Sequence, residues 1–321
     1  MKIMMNMTDC REDTDRFRDS GDVERYVTRL GFDGLELLHC PGGNPSFFSP
    51  GLVAGVHLRY WNDWVDLWEG NLEALKEEYG SLEFAKSVYR GLDREALLKP
   101  IREDLIMAEQ CGASYVVFHV CDVKPVELLI YQFCHTDEQV ADAAAEMINT
   151  LLDEREYSFE FLMENLWWPG LTMTRPEITR RLLARIHYPR KGIMLDTGHL
   201  MHTCLELETQ EEAVDYILRQ VDAHGALAEK IKGIHLNQSL TGDYVREMLR
   251  NQENVPEDYR EREAAGYRHV FRIDRHLPFT TPKVIELIEQ ISPEYLTFEF
   301  ITGSREEHER KVWQQWRALG R

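Results

Sequence analysis

Short apolar runs alternate with longer amphipathic segments along the chain. This alternation predicts βα units, in which each apolar run forms a strand of a parallel sheet and each amphipathic segment forms a helix that covers it. Eight strands are predicted, at residues 3–7, 34–38, 55–58, 115–120, 159–165, 192–195, 231–236 and 296–300. Helices are predicted at residues 22–30, 94–111, 138–152, 175–186, 211–223, 282–291 and 305–319. We therefore expect an α/β fold, a single-domain (β/α)8 TIM barrel over residues 1–321.

Two connections are too long for ordinary loops between a strand and the next helix. Residues 59–92 follow the third predicted strand and are rich in aromatic side chains, whereas residues 238–273 follow the seventh and are highly charged. Both leave the carboxyl ends of strands, the face at which barrels of this kind carry out their chemistry. We interpret both insertions as candidate lids. For the first, the alternative is a helical pair that buries its tryptophans against the barrel wall.

Potential metal ligands stand at the ends of the apolar runs. From the third strand to the eighth they are His57, His119, Glu164, Asp196 with His199, His235, and Glu299. In a barrel these positions meet at one mouth. Ionised carboxylates in apolar strands are costly unless a cation neutralises them, and three together repel each other. Because the motifs around Glu164, Asp196 and Glu299 contain no lysine or arginine, we expect a divalent metal ion between them.

The residue types suggest one to three ions. Three carboxylates and one imidazole form a hard ligand set that suits Mn²⁺, Mg²⁺ or Co²⁺ and also accepts Zn²⁺: Glu164, Asp196, His235 and Glu299. His57 and His119 would form a second site that shares Glu164. A third would combine His199 with Asp274 and His276 of RIDRHLPF. The additional sites are richer in imidazole and favour zinc, so manganese and zinc lead the candidates.

Charge limits the classes of partner. The chain has 37 basic and 56 acidic side chains, a formal net charge of −19. This excess opposes attraction to nucleic acid or to an anionic membrane surface, so neither is an expected partner. No apolar run approaches the ~20 residues that span a bilayer.

Compartment and redox state follow from the N-terminus and the cysteines. The stretch MKIMMNMTDC contains too short an apolar run for a secretory signal, so we expect a cytoplasmic protein. Its cysteines are scattered without a C-x-x-C pair, and in that compartment we expect reduced thiols. They are Cys10, Cys40, Cys111, Cys121, Cys134 and Cys204.

Several motifs resemble one known family. They are GFDGLELL with Glu36, ENL at 164–166, LDTGH at 195–199, IHLNQS at 234–239 and LTFEF before the last helix. Their order is similar to that of the xylose isomerase-like barrel superfamily, which includes sugar isomerases, sugar epimerases and endonuclease IV. The resemblance covers essentially the whole chain.

The resemblance implies roles for the matching residues. In the isomerases and epimerases, the positions of Glu164, Asp196, His235 and Glu299 bind one metal, and the two glutamates handle proton transfer. In endonuclease IV, nine matching positions hold three zinc ions: His57, His119, Glu164, Asp196, His199, His235, Asp274, His276 and Glu299.

The chain also departs from endonuclease IV. The stretch from His235 to Asp274 is much longer, and Phe279-Thr280-Thr281 stands where Gly-Glu-Gly commonly follows the last histidine. A tryptophan-rich insertion follows His57, where a DNA-binding enzyme needs an open basic groove. These departures favour a small-molecule substrate over nucleic acid.

The leading hypothesis from the sequence is a metal-dependent isomerase or epimerase of a sugar or sugar-like substrate. The metal would polarise a carbonyl and its neighbouring hydroxyl, while Glu164 and Glu299 would exchange the proton on carbon. Predicted substrate-binding residues are His199, Asn165, Trp61 and Trp168, with Trp64 and Trp167 as further flat faces. For the tryptophans, a role in the core is an equal alternative.

The main alternative is a multi-zinc phosphoester hydrolase that resembles endonuclease IV, in which several ions clamp the phosphate and generate the nucleophile. A non-catalytic binding barrel and dehydratase or lyase chemistry are the remaining hypotheses. Metal content separates the two leading ones, because the isomerase needs one ion and the hydrolase two or three. A homo-oligomer is compatible with the sequence.

Overall fold

Eight parallel strands close into a barrel in chain order. The computed structural model describes residues 1–251 and 255–321. The strands are β1 Lys2–Thr8, β2 Gly34–Leu38, β3 Val53–His57, β4 Tyr115–His119, β5 Glu160–Glu164, β6 Lys191–Asp196, β7 Ile231–Leu236 and β8 Tyr295–Phe298. The predicted fold class is therefore confirmed, and each predicted strand is present with ends that differ by at most two residues.

Helices surround the barrel and cover its mouth. They are α1 Arg11–Thr14, α2 Ser20–Arg29, α3 Val65–Glu69, α4 Leu72–Tyr79, α5 Leu82–Tyr89, α6 Glu95–Cys111, α7 Glu127–Ile130, α8 Asp137–Leu152, α9 Pro176–Arg185, α10 Thr197–Met201, α11 Gln210–His224, α12 Gly242–Asn251, α13 Tyr259–Ile273, α14 Val284–Ile291 and α15 Arg305–Ala318. The seven predicted helices correspond to α2, α6, α8, α9, α11, α14 and α15. None of the helices in the described ranges has the length and apolarity needed to span a membrane.

Both long connections contain helices. Residues 59–92 form α3 to α5, and Trp64 and Trp68 are buried in the core between helices and barrel. Residues 238–273 form α12 and α13; residues 252–254 of this insertion lie outside the described residues. The tryptophans of the first insertion thus pack as the helical alternative expects.

A buried ionic network fastens the first insertion to the loop after β4. Asp122 accepts hydrogen bonds from the backbone amides of Trp64 and Val65 at 2.8 and 2.9 Å, at the start of α3. Its other oxygen lies 2.7 Å from His135 Nδ1. Burial alone lowers the pKa of His135, but hydrogen bonds to Asp122 and Asp66 raise it to about 12. The imidazolium of His135 therefore stabilises the folded state.

We expect this network to make stability depend on alkaline pH. Since the folded pKa of His135 lies above the ordinary value of ~6.5, its contribution is complete below that pH and is lost as pH rises towards 12. Between pH 6.5 and 9, urea unfolding should show that wild type loses about 2 kcal/mol more than His135→Gln. His187→Gln is the control, because His187 pairs with Asp153 at the exposed surface. Equal losses in wild type and His135→Gln would refute the role of this imidazolium.

The barrel interior ends in a polar floor beneath the mouth. Any side chain at Gly55 would collide with the ring of Tyr115, which crosses the interior from β4. The hydroxyl of Tyr115 donates to Glu36 Oε2 at 2.7 Å, and Thr297 donates to the same oxygen at 2.9 Å. Glu36, in β2, is thereby fixed as a buried carboxylate directly below the strand ends.

Cys10 and Cys40 form a disulfide, with Cα atoms 5.9 Å apart. They follow β1 and β2, which pair side by side, so the two loops meet at the rim of the barrel. The prediction of reduced thiols is wrong for this pair, because nothing in their 30-residue separation signals the contact. Cys111, Cys121, Cys134 and Cys204 are free.

Candidate metal centre

Nine predicted ligands gather at the carboxyl ends of the strands. The strand register places several of them side by side, because β4 and β5 align His119 with Glu164, and β6 and β7 align Asp196 with His235. The side chains form three groups of donor atoms, each compact enough to surround one ion. They are Glu164, Asp196, His235 and Glu299 (the central cluster), His57, His119 and Glu164 (the histidine cluster), and His199, Asp274 and His276 (the third cluster).

The central cluster surrounds His235 Nδ1. This nitrogen lies 3.2 Å from Glu164 Oε1, 3.5 Å from Glu299 Oε2 and 3.9 Å from Asp196 Oδ2. Burial raises the pKa of Glu299 to about 7, with Asp196 and Glu164 adding to the rise and the two neighbouring imidazoles opposing it. Carboxylates crowded in this way call for a cation among them.

The histidine cluster uses the second oxygen of Glu164. Its Oε2 lies 3.2 Å from His57 Nε2 and 3.3 Å from His119 Nε2. These two ring nitrogens face each other at 3.0 Å. Because Glu164 directs one oxygen to each cluster, it is placed to bridge two ions.

The third cluster depends on how the long insertion begins and ends. Gln238 and Leu277 exchange backbone hydrogen bonds of 2.8 and 3.1 Å, which bring the segment after α13 back to the mouth. Asp274 Oδ2 then lies 2.8 Å from His276 Nε2 and 3.4 Å from His199 Nε2. His276 adopts a left-handed backbone conformation, φ 44°, which is costly for a residue other than glycine. The contact of its ring with Asp274 accompanies this conformation. The insertion therefore does not separate Asp274 and His276 from the other predicted ligands.

Partners behind the ligands select which nitrogen faces each cluster. His57 Nδ1 lies 3.0 Å from the carbonyl oxygen of Leu58, and His199 Nδ1 lies 2.9 Å from that of Asn165. His235 Nε2 lies 2.8 Å from Glu36 Oε1. The two carbonyl contacts fix the tautomers of His57 and His199, whereas Glu36 acts on the His235 ring through its charge, without hydrogen-bond geometry at Nε2.

These donors fit divalent ions. With Nδ1 of His57 donating to the backbone, its Nε2 presents a lone pair to a second imidazole nitrogen and to a carboxylate oxygen. Such an arrangement is unfavourable unless a proton or a metal lies among the three atoms. The imidazole-rich clusters suit Zn²⁺, and the carboxylate-rich central cluster suits Mn²⁺ or Zn²⁺.

Two supporting residues were missed at the sequence level. His202, one turn after His199, has its Nε2 3.5 Å from Asp274 Oδ1. Asn237 donates to Asp196 Oδ2 at 2.7 Å and to Glu299 Oε2 at 3.3 Å. A side chain at Gly198 would collide with Asn237, which explains the glycine in LDTGH. The i, i+3 spacing of His199 and His202 is the signal that the sequence offered for His202, and Asn237 lies within the IHLNQS motif.

A cavity of about 650 Å³ opens above the clusters. Of the predicted substrate-binding residues, His199 and Trp168 line this cavity, together with Trp167. Trp61 instead lines a smaller neighbouring cavity, and Tyr60 lines both cavities and stacks on His119, a predicted ligand.

The side chain of Asn165 makes its hydrogen bonds within the protein. Its side-chain amide donates to the carbonyl oxygen of Asp196 at 3.1 Å and accepts from the Asp196 amide at 2.9 Å. Both atoms of the amide are engaged and the side chain is fully buried. In this geometry Asn165 positions Asp196 rather than facing the cavity.

Sequence comparison identifies the family to which the chain belongs. The profile described as Xylose isomerase-like TIM barrel matches residues 25–314, which is nearly the whole chain. The chain belongs to this family. Its structural neighbours include both types of enzyme that the sequence motifs resemble, sugar epimerases and endonuclease IV. No curated protein matches its sequence significantly.

Solved structures share the fold at low sequence identity. Endonuclease IV from Thermus thermophilus superposes with a TM-score of 0.55 at 15% identity, covering 100% of this chain and 99% of that one. A D-tagatose 3-epimerase-like protein gives 0.53 at 14% identity, covering 100% and 97%. The IOLI protein, whose structure contains a bound zinc atom, gives 0.52 at 12% identity, covering 99% and 96%. At these identities the likeness concerns the fold.

Proposed function

We propose that this protein is a multinuclear metal-dependent hydrolase of small phosphoesters. The observation that carries the proposal is the presence of three donor clusters at one mouth, two of them sharing Glu164. Divalent ions held there would supply a nucleophile at neutral pH and neutralise the charge that develops on a transferring phosphoryl group. A site for one ion would need the central cluster alone.

Four residues have proposed roles in spacing, orienting or covering the metal clusters. Glu164 bridges the central and histidine clusters, so it sets the spacing between the ions they would hold. Glu36 and His202 orient ligands from behind, on His235 and Asp274. Tyr60 stacks on His119 with ring centroids 4.2 Å apart and would cover one face of that ring. Zinc is the proposed ion for the two imidazole-rich clusters.

Charge argues for a small substrate rather than a nucleic acid. Within the described lining of the cavity, two arginines are present, and each lies in an ion pair. Arg16 pairs with Asp13 at 3.0 Å and Arg305 with Asp22 at 3.1 Å. Nucleic-acid binding draws its affinity from cations that neutralise many phosphates, and a chain of net charge −19 with a paired lining offers few.

A sugar isomerase or epimerase is the second candidate, and the central cluster favours it. Glu164 and Glu299 come from β5 and from the end of β8, and both lie within 3.5 Å of His235 Nδ1. Two carboxylates beside one ion are what proton exchange at a sugar carbon requires. This reaction needs neither the histidine cluster nor the third cluster.

Asp274→Asn separates the two candidates. The variant removes the charged ligand of the third cluster and leaves the central cluster intact, so a hydrolase should lose one ion per chain and at least about 100-fold in phosphoester hydrolysis. An isomerase should keep its central ion and its exchange of deuterium from solvent into ketoses. Metal analysis and both assays are made on the same preparations. Asp243→Asn, an exposed change in the same insertion, is the control.

The outcomes are distinct. Hydrolysis in wild type that falls together with one ion in Asp274→Asn supports the hydrolase. Wild type that exchanges deuterium into a ketose, hydrolyses no phosphoester and is unaffected by Asp274→Asn would replace it by the isomerase.

A further inference from the structure

Helix α13 presents one stripe of side chains to the cavity. Tyr267, Val270 and Phe271 all line it, at spacings of three and four residues that place them on one face of the helix, and Asp274, directly after the helix, lines it too. Tyr267 and Phe271 are 46% and 65% exposed, although large aromatic side chains normally seek burial. The same helix end therefore carries a metal ligand and an unpartnered aromatic surface.

This surface continues onto the metal ligands. Trp167 lies over His199 with ring centroids 5.2 Å apart, and Tyr60 stacks on His119. Tyr267 and Phe271 are nearly parallel, with an interplanar angle of 30°. We call Tyr60, Trp167, Tyr267 and Phe271 the aromatic wall; it runs from the clusters to the outer edge of the cavity.

The wall is suited to an uncharged ring. The charged side chains that line the cavity away from the clusters are Glu12, Asp13, Arg16 and Arg305, in the part of the chain that the structure describes. Since both arginines are paired, a second anionic group on the substrate would find no unneutralised cation among them. A flat π-surface, by contrast, gains stacking energy against the exposed rings.

We propose that the substrate carries an aromatic ring joined to its phosphoryl group, an aryl or nucleoside phosphoester, and that the aromatic wall binds this ring. The inference rests on the proposed phosphoester hydrolysis and adds the group that is recognised. The phosphoryl group would lie at the clusters while the ring stacks on Tyr267 and Phe271.

Binding of phosphonates to the metal-loaded protein tests this assignment without turnover. By calorimetry, phenylphosphonate should bind about tenfold more tightly than methylphosphonate, because the second ligand lacks the ring. Phe271→Ala and Tyr267→Ala should each reduce this preference several-fold and leave methylphosphonate affinity unchanged. Both side chains are exposed, so neither change should impair folding. Trp313→Ala, at a 45% exposed residue of α15 outside the cavity lining, is the matched control.

Turnover distinguishes the source of the ring. The hydrolysis of phenyl phosphate and of adenosine monophosphate is compared with that of glycerol phosphate. The proposal is supported if either aromatic ester is hydrolysed faster than glycerol phosphate and Phe271→Ala reduces that difference. Equal affinity for both phosphonates, or equal hydrolysis of glycerol phosphate, would overturn it and leave the hydrolase standing. If no phosphonate binds and no ester is hydrolysed, the proposed function fails, and this inference fails with it.

Discussion

Replacing Glu164 by glutamine should empty two of the three clusters at once. Its Oε1 faces the central cluster and its Oε2 faces the histidine cluster, so one substitution removes a charged ligand from both. We expect bound metal to fall from three ions per chain to one, retained by the third cluster. Because the ions provide several kcal/mol of transition-state stabilisation, phosphoester hydrolysis should fall by at least about 10³-fold. Elemental analysis of protein purified without chelator gives the count.

The matched control is Glu160→Gln, in the same strand. Glu160 stands at the opposite end of β5, where it pairs with Lys232 away from the mouth. This variant should keep three ions and full activity. A Glu164→Gln protein with unchanged metal content would show that Glu164 is no ligand, and one that lost a single ion would show that it is no bridge.

Replacing Glu36 by glutamine should weaken metal binding by about 10–100-fold without touching a ligand. Glu36 Oε1 lies 2.8 Å from His235 Nε2, and its charge makes the opposite nitrogen of the ring a stronger donor to the ion. Although burial raises the pKa of Glu36, the neighbouring His235 and His57 lower it below the usual value, so the carboxylate is ionised at neutral pH. Competition with a chelator of known affinity measures the change.

Thr297→Val provides the comparison for Glu36. It removes one hydrogen bond to Glu36 Oε2 and preserves the charge that acts on His235. Its affinity for metal should change by less than that of Glu36→Gln. Equal and small effects in both variants would mean that the carboxylate serves the packing of the barrel floor rather than the ligand.

The barrel and the central cluster could be predicted because both follow from local patterns. Strands buried on both faces appear as apolar runs, and Glu164 and Asp196 stand out in them because charge is so costly there. Parallel strands in chain order then bring their carboxyl ends to one mouth. Prediction of this kind needs no knowledge of loops.

The features that could not be predicted depend on contacts made by the loops. That Asp274 and His276 reach the ligands depends on the pairing of Gln238 with Leu277 across the insertion, a contact without a sequence signal. The cavity stripe of α13 lies in a highly charged segment that the sequence indicated only as a candidate lid. These features arise from tertiary contacts between distant segments, as does the disulfide between Cys10 and Cys40.

The directions of individual side chains could not be predicted from the sequence either. Trp61 and Tyr60 are neighbours in sequence, yet only Tyr60 lines the cavity above the clusters, and composition could not decide which one would do so. Asn165 follows a ligand directly, which suggested contact with substrate, but its amide is used by the backbone of Asp196.

The central claim is that one mouth holds three divalent ions. Anomalous diffraction from crystals of the protein, measured above and below the zinc absorption edge, locates each ion and identifies its ligands. We expect three peaks, one in each cluster, with Glu164 contacting two of them. A single peak bound by Glu164, Asp196, His235 and Glu299, with the other two clusters empty at saturating zinc, would contradict it.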